Sequence, residues 1–248
     1  MNRIKLSPLA TTEIETKPVE DPNPSVFSTA ELASAFRRRA EGEFSLFVPM
    51  HYTNSYAYPL ILWLHQDGSQ CSEIQKLMPD VSVRNHVAIA PQSGFSHSSP
   101  IAWPNCEESV EAAYESVMAA VDHAQLRFNI NSNRIFLAGA GTGGTMAFRI
   151  AFERPDVFAG VISVDGPMET EHVPLRDWHR CRDLNVLLAN FRDSQSYDEN
   201  ELCHHLRLLH VAGFSTTVRR YPGSATLSSN VLADIDRWIM EQIKSAIT

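Results

Sequence analysis

Residues 134–166, RIFLAGAGTGGTMAFRIAFERPDVFAGVISVDG, decide the fold. The stretch opens on a short apolar run, Arg134-Ile135-Phe136-Leu137-Ala138, which reads as a strand. Gly139-Ala140-Gly141-Thr142-Gly143-Gly144 follows as a tight strand-to-helix turn. A helical segment then runs through Met146, Ala147 and Ile150 and is stopped near Pro155, because proline cannot continue the helical hydrogen-bond ladder. Phe158-Ala159-Gly160-Val161-Ile162-Ser163-Val164 is the next strand. Strand, helix, strand is the unit from which parallel sheets are built.

The same alternation extends outward on both sides. Upstream, Phe44-Ser45-Leu46-Phe47-Val48 has short-strand character. Leu60-Ile61-Leu62-Trp63-Leu64 and Val87-Ala88-Ile89-Ala90 are apolar on both faces, as strands buried in a parallel sheet must be. From Val110, apolar residues at Ala113, Tyr114, Val117, Met118, Val121 and Ala124 recur at the spacing of one helix face. Asn131-Ser132-Asn133 reads as a turn. Downstream, Val186–Ala189 and Thr216–Tyr221 read as strands, with helices over about 196–211 and 230–246. The expected architecture is a single α/β domain over 27–248: a mostly parallel central sheet with helices on both faces. There is no internal repeat and no linker, and residues 1–26, with Pro8, Pro18, Pro22 and Pro24, are expected to form a poorly ordered leader.

Composition narrows the function classes. The 248 residues carry 21 Lys and Arg against 29 Asp and Glu, a net charge of −8, which argues against nucleic acid as the main partner. Arg37-Arg38-Arg39 reads as a solvated face. Cys71, Cys106, Cys181 and Cys203 show no metal or disulfide spacing. No apolar run reaches the length of a membrane span, and the N-terminus lacks the apolar core of a signal peptide, so a cytoplasmic protein is expected.

In such a sheet ligands sit at the carboxyl ends of the strands, so the residues just after each strand carry the information. The glycines at 139, 141, 143 and 144 do not fit a dinucleotide fingerprint, which also needs an acid about 20 residues on. The chain instead resembles the α/β-hydrolase fold, specifically the phospholipase/carboxylesterase (thioesterase-like) and polyhydroxybutyrate-depolymerase-like esterases. The resemblance spans about residues 44–246. It rests on FSLFVP at 44–49, PLILWLHQDG at 59–68, VAIAPQ at 87–92, the 134–166 stretch, VLLANFRD at 186–193 and VRRYPGSATLSSNVLADIDRWI at 218–239.

That resemblance implies a nucleophilic serine in G-x-S-x-G, an acid after the penultimate strand and a base histidine after the last. Carried over position by position, the nucleophile place is Gly141, the acid place Asp193 and the base place Ala225. Glycine has no oxygen to attack a carbonyl, and alanine cannot take a proton. The strand end that normally helps form the oxyanion hole reads His65-Gln66-Asp67-Gly68, and Asp67 brings a carboxylate to a place built for negative charge. Thr142 is expected to turn its amide, not its hydroxyl, toward the site. His65 is expected to brace the loop, and Asp193 to cap neighbouring backbone.

The resulting expectation is a degenerate hydrolase whose former cleft, with His65, Gln66, Asp67, His97, Thr142 and Asp193 as candidate contacts, binds a small molecule or a protein. The alternative is a weak or rewired carboxylic ester hydrolase using the 92–99 loop through His97. A purely structural or interaction role, through the leader or an oligomer face, is the third reading. No cofactor and no metal are implied, and the sequence leaves the oligomeric state open.

Overall fold

A computed structural model describes residues 44–94, 102–104, 106–169 and 178–245, so the expected leader and His97 lie outside the described residues. Seven strands form one sheet: β1 (Phe44–Phe47), β2 (Tyr58–Leu64), β3 (Val87–Pro91), β4 (Ile130–Ala140), β5 (Gly160–Val164), β6 (Asn185–Phe191) and β7 (Ser215–Tyr221). Their order is β1-β3-β2-β4-β5-β6-β7. Only β1 runs antiparallel, against β3; all other pairs are parallel.

Helices cover both faces because the strand residues alternate between two apolar cores. Leu60, Leu62 and Leu64 of β2 join one core, against α2 (Glu107–Gln125), α3 (Thr142–Glu153) and α4 (Glu199–Ala212). Ile61 and Trp63 join the other, against α1 (Ile74–Val81) and α5 (Ser229–Ser245). Period-2 side chains on continuously buried strands thus build two layers from one sequence. Among the described residues no helix is long and apolar enough to cross a membrane.

Two local expectations are corrected. Asn131-Ser132-Asn133 does not separate a turn from a strand. It lies within β4, where the pairing with β2 slips between Tyr58↔Ile130 and Leu60↔Ile135, so the extra residues are taken up as a bulge. Helix α1 has no counterpart in the sequence reading. It is eight residues long and contains Pro79, so its periodic signal is short and interrupted, yet Ile74, Met78 and Val81 bury one face against the second core.

Helix α5 is tied to the start of β3 by polar contacts at a core edge. Asp236 Oδ1 accepts from His86 Nε2 at 2.7 Å and from Asn85 Nδ2 at 2.9 Å. Burial opposes the charge on Asp236, but the hydrogen bonds from His86 and Asn85 and the attraction of His86 and Arg237 outweigh it. The carboxyl therefore titrates below its usual range. A depressed carboxyl contributes stability above its unfolded pKa and loses it as pH falls. Asp236→Asn is expected to cost about 1–3 kcal/mol at pH 7, with the deficit shrinking as pH drops below about 4. Urea unfolding of both proteins at the two pH values checks this.

Candidate functional site

The site begins where β4 ends. Gly141 follows Ala140 with φ 54° and ψ −128°, a conformation that side chains adopt only under strain. Its amide donates to Val164 O at 2.9 Å, and its carbonyl accepts from the amides of Gly144 and Thr145, which starts α3. This is the sharp strand-to-helix elbow that the sequence called for. Close backbone packing explains its glycines: a Cβ on Gly143 would fall 2.4 Å from Leu64 O and 2.6 Å from His65 O.

The loop after β2 brings up the second wall. His65 is fully buried. Its Nδ1 donates to Gln66 O (3.0 Å), while Nε2 accepts from the Ser93 amide (3.2 Å) and the Gln92 side-chain amide (3.3 Å). Burial lowers its pKa, outweighing the Gln66 carbonyl and the carboxylates of Glu73 and Asp67, so the ring is held neutral. Both ring nitrogens are thus engaged in hydrogen bonds that hold the loop. The Gln66 amide is likewise taken: it donates to Glu73 Oε1 at 3.2 Å, an oxygen that also accepts from Trp63 Nε1 at 2.6 Å.

Asp67 stands directly before the elbow. A Cβ at position 141 would lie 3.1 Å from Asp67 Oδ2, so the carboxylate leans toward the space in front of the glycine. Thr142 departs from expectation here. Its hydroxyl donates to Asp67 Oδ1 and accepts from the Trp103 amide at 3.1 Å. The hydroxyl faces the cleft because a charged acceptor is within reach across it, and such bonds are stronger than neutral ones.

Two adjoining cavities share this elbow. The larger, about 390 Å³, is lined by Asp67, Gly141 and Thr142 together with Trp103, Asp165 and Glu201, among others. The smaller, about 160 Å³, holds Gln66, Asp67, Gly141 and Asp165 with Ala225 and Ser196. The carried-over nucleophile and base places, Gly141 and Ala225, therefore open on one cavity. Asp193 is exposed and lines neither. Its amide donates to Gly223 O at 3.0 Å, which joins its loop to that of β7.

The carboxylate that the structure does bring into the cleft is Asp165, which the sequence reading did not single out. It follows β5 directly, with φ 55°, and is 4% exposed. Its Oδ2 accepts from Ser194 Oγ (2.8 Å) and Ser196 Oγ (3.0 Å), while Oδ1 is buried without a hydrogen-bond partner. Burial pushes its pKa up, against the two serine hydroxyls and the nearby Phe191 amide. Its position, first after a buried parallel strand, was the available signal. Trp103, 2% exposed and donating through Nε1 to His65 O at 3.1 Å, was missed for want of any periodic pattern around it.

Comparisons with known proteins bear on the fold. Residues 108–207 match the prolyl oligopeptidase family. A protein of Nocardia uniformis subsp. tsuyamanensis, named "Putative esterase NocK", is 29% identical over 126 residues, 48% of this chain and 36% of that protein. The matched stretch thus spans about a third of that curated relative. Among solved structures, a ferulic acid esterase superposes with a TM-score of 0.66 at 12% identity, covering 80% of this chain and 92% of the other. A phospholipase/carboxylesterase from Dyadobacter fermentans gives 0.61 at 15%, covering 80% and 96%. Arabidopsis thaliana SOBER1 gives 0.59 at 19%, covering 75% and 100%. The chain has the α/β-hydrolase fold, and the proteins it resembles are esterase-like.

The backbone contact at Gly143 yields a direct expectation. Gly143→Ala forces a methyl onto two carbonyl oxygens and should destabilise by about 1–3 kcal/mol or more, read as a lower urea midpoint. An unchanged midpoint would mean that α3 does not press on β2 as described.

Proposed function

We propose that this protein is a catalytically degenerate α/β-hydrolase whose former active-site cleft binds a small molecule or a protein partner. The observation that carries the reading is the pairing of Gly141 at the elbow with the Asp67 carboxylate leaning over it. At the nucleophile place there is no oxygen, and at the base place Ala225 offers no proton acceptor. Groups of this kind act as a unit, and deleting them costs on the order of 10⁶ in rate. The oxyanion side is altered in the same direction. The Gln66 amide is engaged by Glu73, and Asp67 opposes any negative charge that develops at the elbow.

Asp165 does not restore the triad, because a carboxylate needs a histidine to orient and His65 has both nitrogens in use. Cys106 and Cys203 stand exposed as free thiols, which suits a reducing compartment and supports a cytoplasmic location.

Hydrolysis of p-nitrophenyl butyrate tests the reading. The native protein is expected at the buffer rate. The Asp67→Gly, Gly141→Ser, Ala225→His triple variant is expected to turn over, and the same variant with Asp67 kept to be slower. Saturable turnover by the native protein overturns the reading, and its loss in His97→Ala would assign the chemistry to the 92–99 loop.

A further inference from the structure

A third cavity, of about 220 Å³, lies at the opposite end of the sheet from the elbow, against the amino ends of β4, β5 and β6. Strand alternation and the β4 bulge build it. Arg134 and Phe136 stand two residues apart and so project from the same face, the one covered by α5. The bulge that takes up residues 131–133 sets Asn131 and Asn133 on the rim. Asn185, the first residue of β6, donates through Nδ2 to Ala159 O at 3.3 Å and closes the wall between β5 and β6. Gln242 and Ile243, near the end of α5, form the far side.

The charge of this cavity is the reverse of the cleft's. Its described lining holds an arginine and no carboxylate, where the cavities at the elbow hold carboxylates and no arginine or lysine. Arg154, Arg180, Arg220 and Arg237 are each paired with a carboxylate on the surface. Arg134, half-buried on the cavity wall, makes no ion pair or hydrogen bond with a described residue. Its guanidinium offers a planar fork of N–H donors, which matches a carboxylate through two parallel bonds. Asn131 adds a donor beside it: Oδ1 already accepts from the Asn133 amide at 3.0 Å, so Nδ2 is what Asn131 has left to offer. The end of α5 is a weakly negative neighbour, and Lys244 in the same turn opposes it. Phe136 and Ile243 are apolar and buried, so the floor favours hydrocarbon, and the volume admits only a small molecule.

We infer that this cavity binds a small carboxylate with a compact apolar body, its head against Arg134 and the Asn131 side-chain amide and its body over Phe136 and Ile243. It shares no described lining residue with the cleft, so it is a second site and does not depend on what the cleft does. A neutral amide of the same shape lacks the charge that the fork meets. A tetrahedral oxyanion without hydrocarbon leaves the apolar floor uncovered.

Calorimetric titration of the full-length protein with benzoate, benzamide and inorganic phosphate tests this. Benzoate is expected to bind saturably. Benzamide and phosphate should each bind at least about tenfold more weakly, a ratio that one charge-assisted hydrogen bond or a few buried methylenes supplies. Arg134→Gln should weaken benzoate by about tenfold or more. Arg134→Lys keeps the charge but loses the fork, and should recover only part of that loss. Gln242→Glu puts a negative charge at the cavity edge with little change of shape, and should weaken benzoate about tenfold. Gln242 is half-buried on a helix, so its variant keeps the test open if the Arg134 variants misfold. No benzoate binding, benzamide or phosphate binding as tight as benzoate, or benzoate binding indifferent to Gln242→Glu would overturn the inference. The proposed loss of catalysis in the cleft stands or falls separately, on the native protein's rate with p-nitrophenyl butyrate.

Discussion

The contact on which the rest of the structure depends is between backbones. At Gly143 the first turn of α3 presses onto the carbonyls of Leu64 and His65, leaving no room for a side chain. A Cβ on Gly166 would fall 2.5 Å from the Gly141 carbonyl oxygen, and one on Gly144 2.5 Å from Ser163 Oγ. The carboxyl ends of β2, β4 and β5 are thereby drawn to one point. Each of these approaches is set by chain packing and by no catalytic group. The elbow keeps its φ of 54° at Gly141 because the strands on either side and the helix after it require it. Packing of this kind holds the elbow's shape without any side chain at its apex.

A glycine at the apex also sets what can approach it. With only hydrogen on Cα at position 141, the Asp67 side chain comes within 3.1 Å of where a Cβ would stand. The Thr142 hydroxyl then turns into the cleft to meet Asp67 and in turn holds the Trp103 amide. Trp103 closes the chain of contacts by donating to His65 O, and His65 is fixed by Ser93 and Gln92. The result is a connected polar network across the cleft mouth in which one member, Asp67, bears a charge opposed to ester chemistry.

How much of this was legible follows from the kind of signal each part emits. The strands β2 to β6 were readable because burial on both faces leaves unbroken apolar runs, and the elbow because four glycines in six residues have few other uses. Gly141 and Ala225 could be assigned to the nucleophile and base places of the resemblance once the elbow fixed the register, and the proposed loss of catalysis rests on that assignment. Helix α1 was not, since its amphipathic signal spans only eight residues around Pro79. Asp165 was hidden for a different reason. One aspartate before a glycine reads as a turn residue, which masks the signal of its place directly after β5, and the Ser194 and Ser196 hydroxyls that engage it come from a loop about 30 residues away. Thr142 was placed correctly along the chain, but the direction of its hydroxyl depended on a partner 75 residues away.

The electrostatics of the cleft connect these observations. An acyl-transfer site must favour negative charge at the elbow, and every carboxylate near it works against that. Asp67 and Asp165 are both placed beside the elbow, where such a site would disfavour them. They are not without consequence, however. Asp165 retains a buried oxygen that its own fold leaves unsatisfied, while Trp103 and the methionines keep the adjoining space apolar. Backbone packing thus sets the shape of the cleft, and these carboxylates make its described lining acidic.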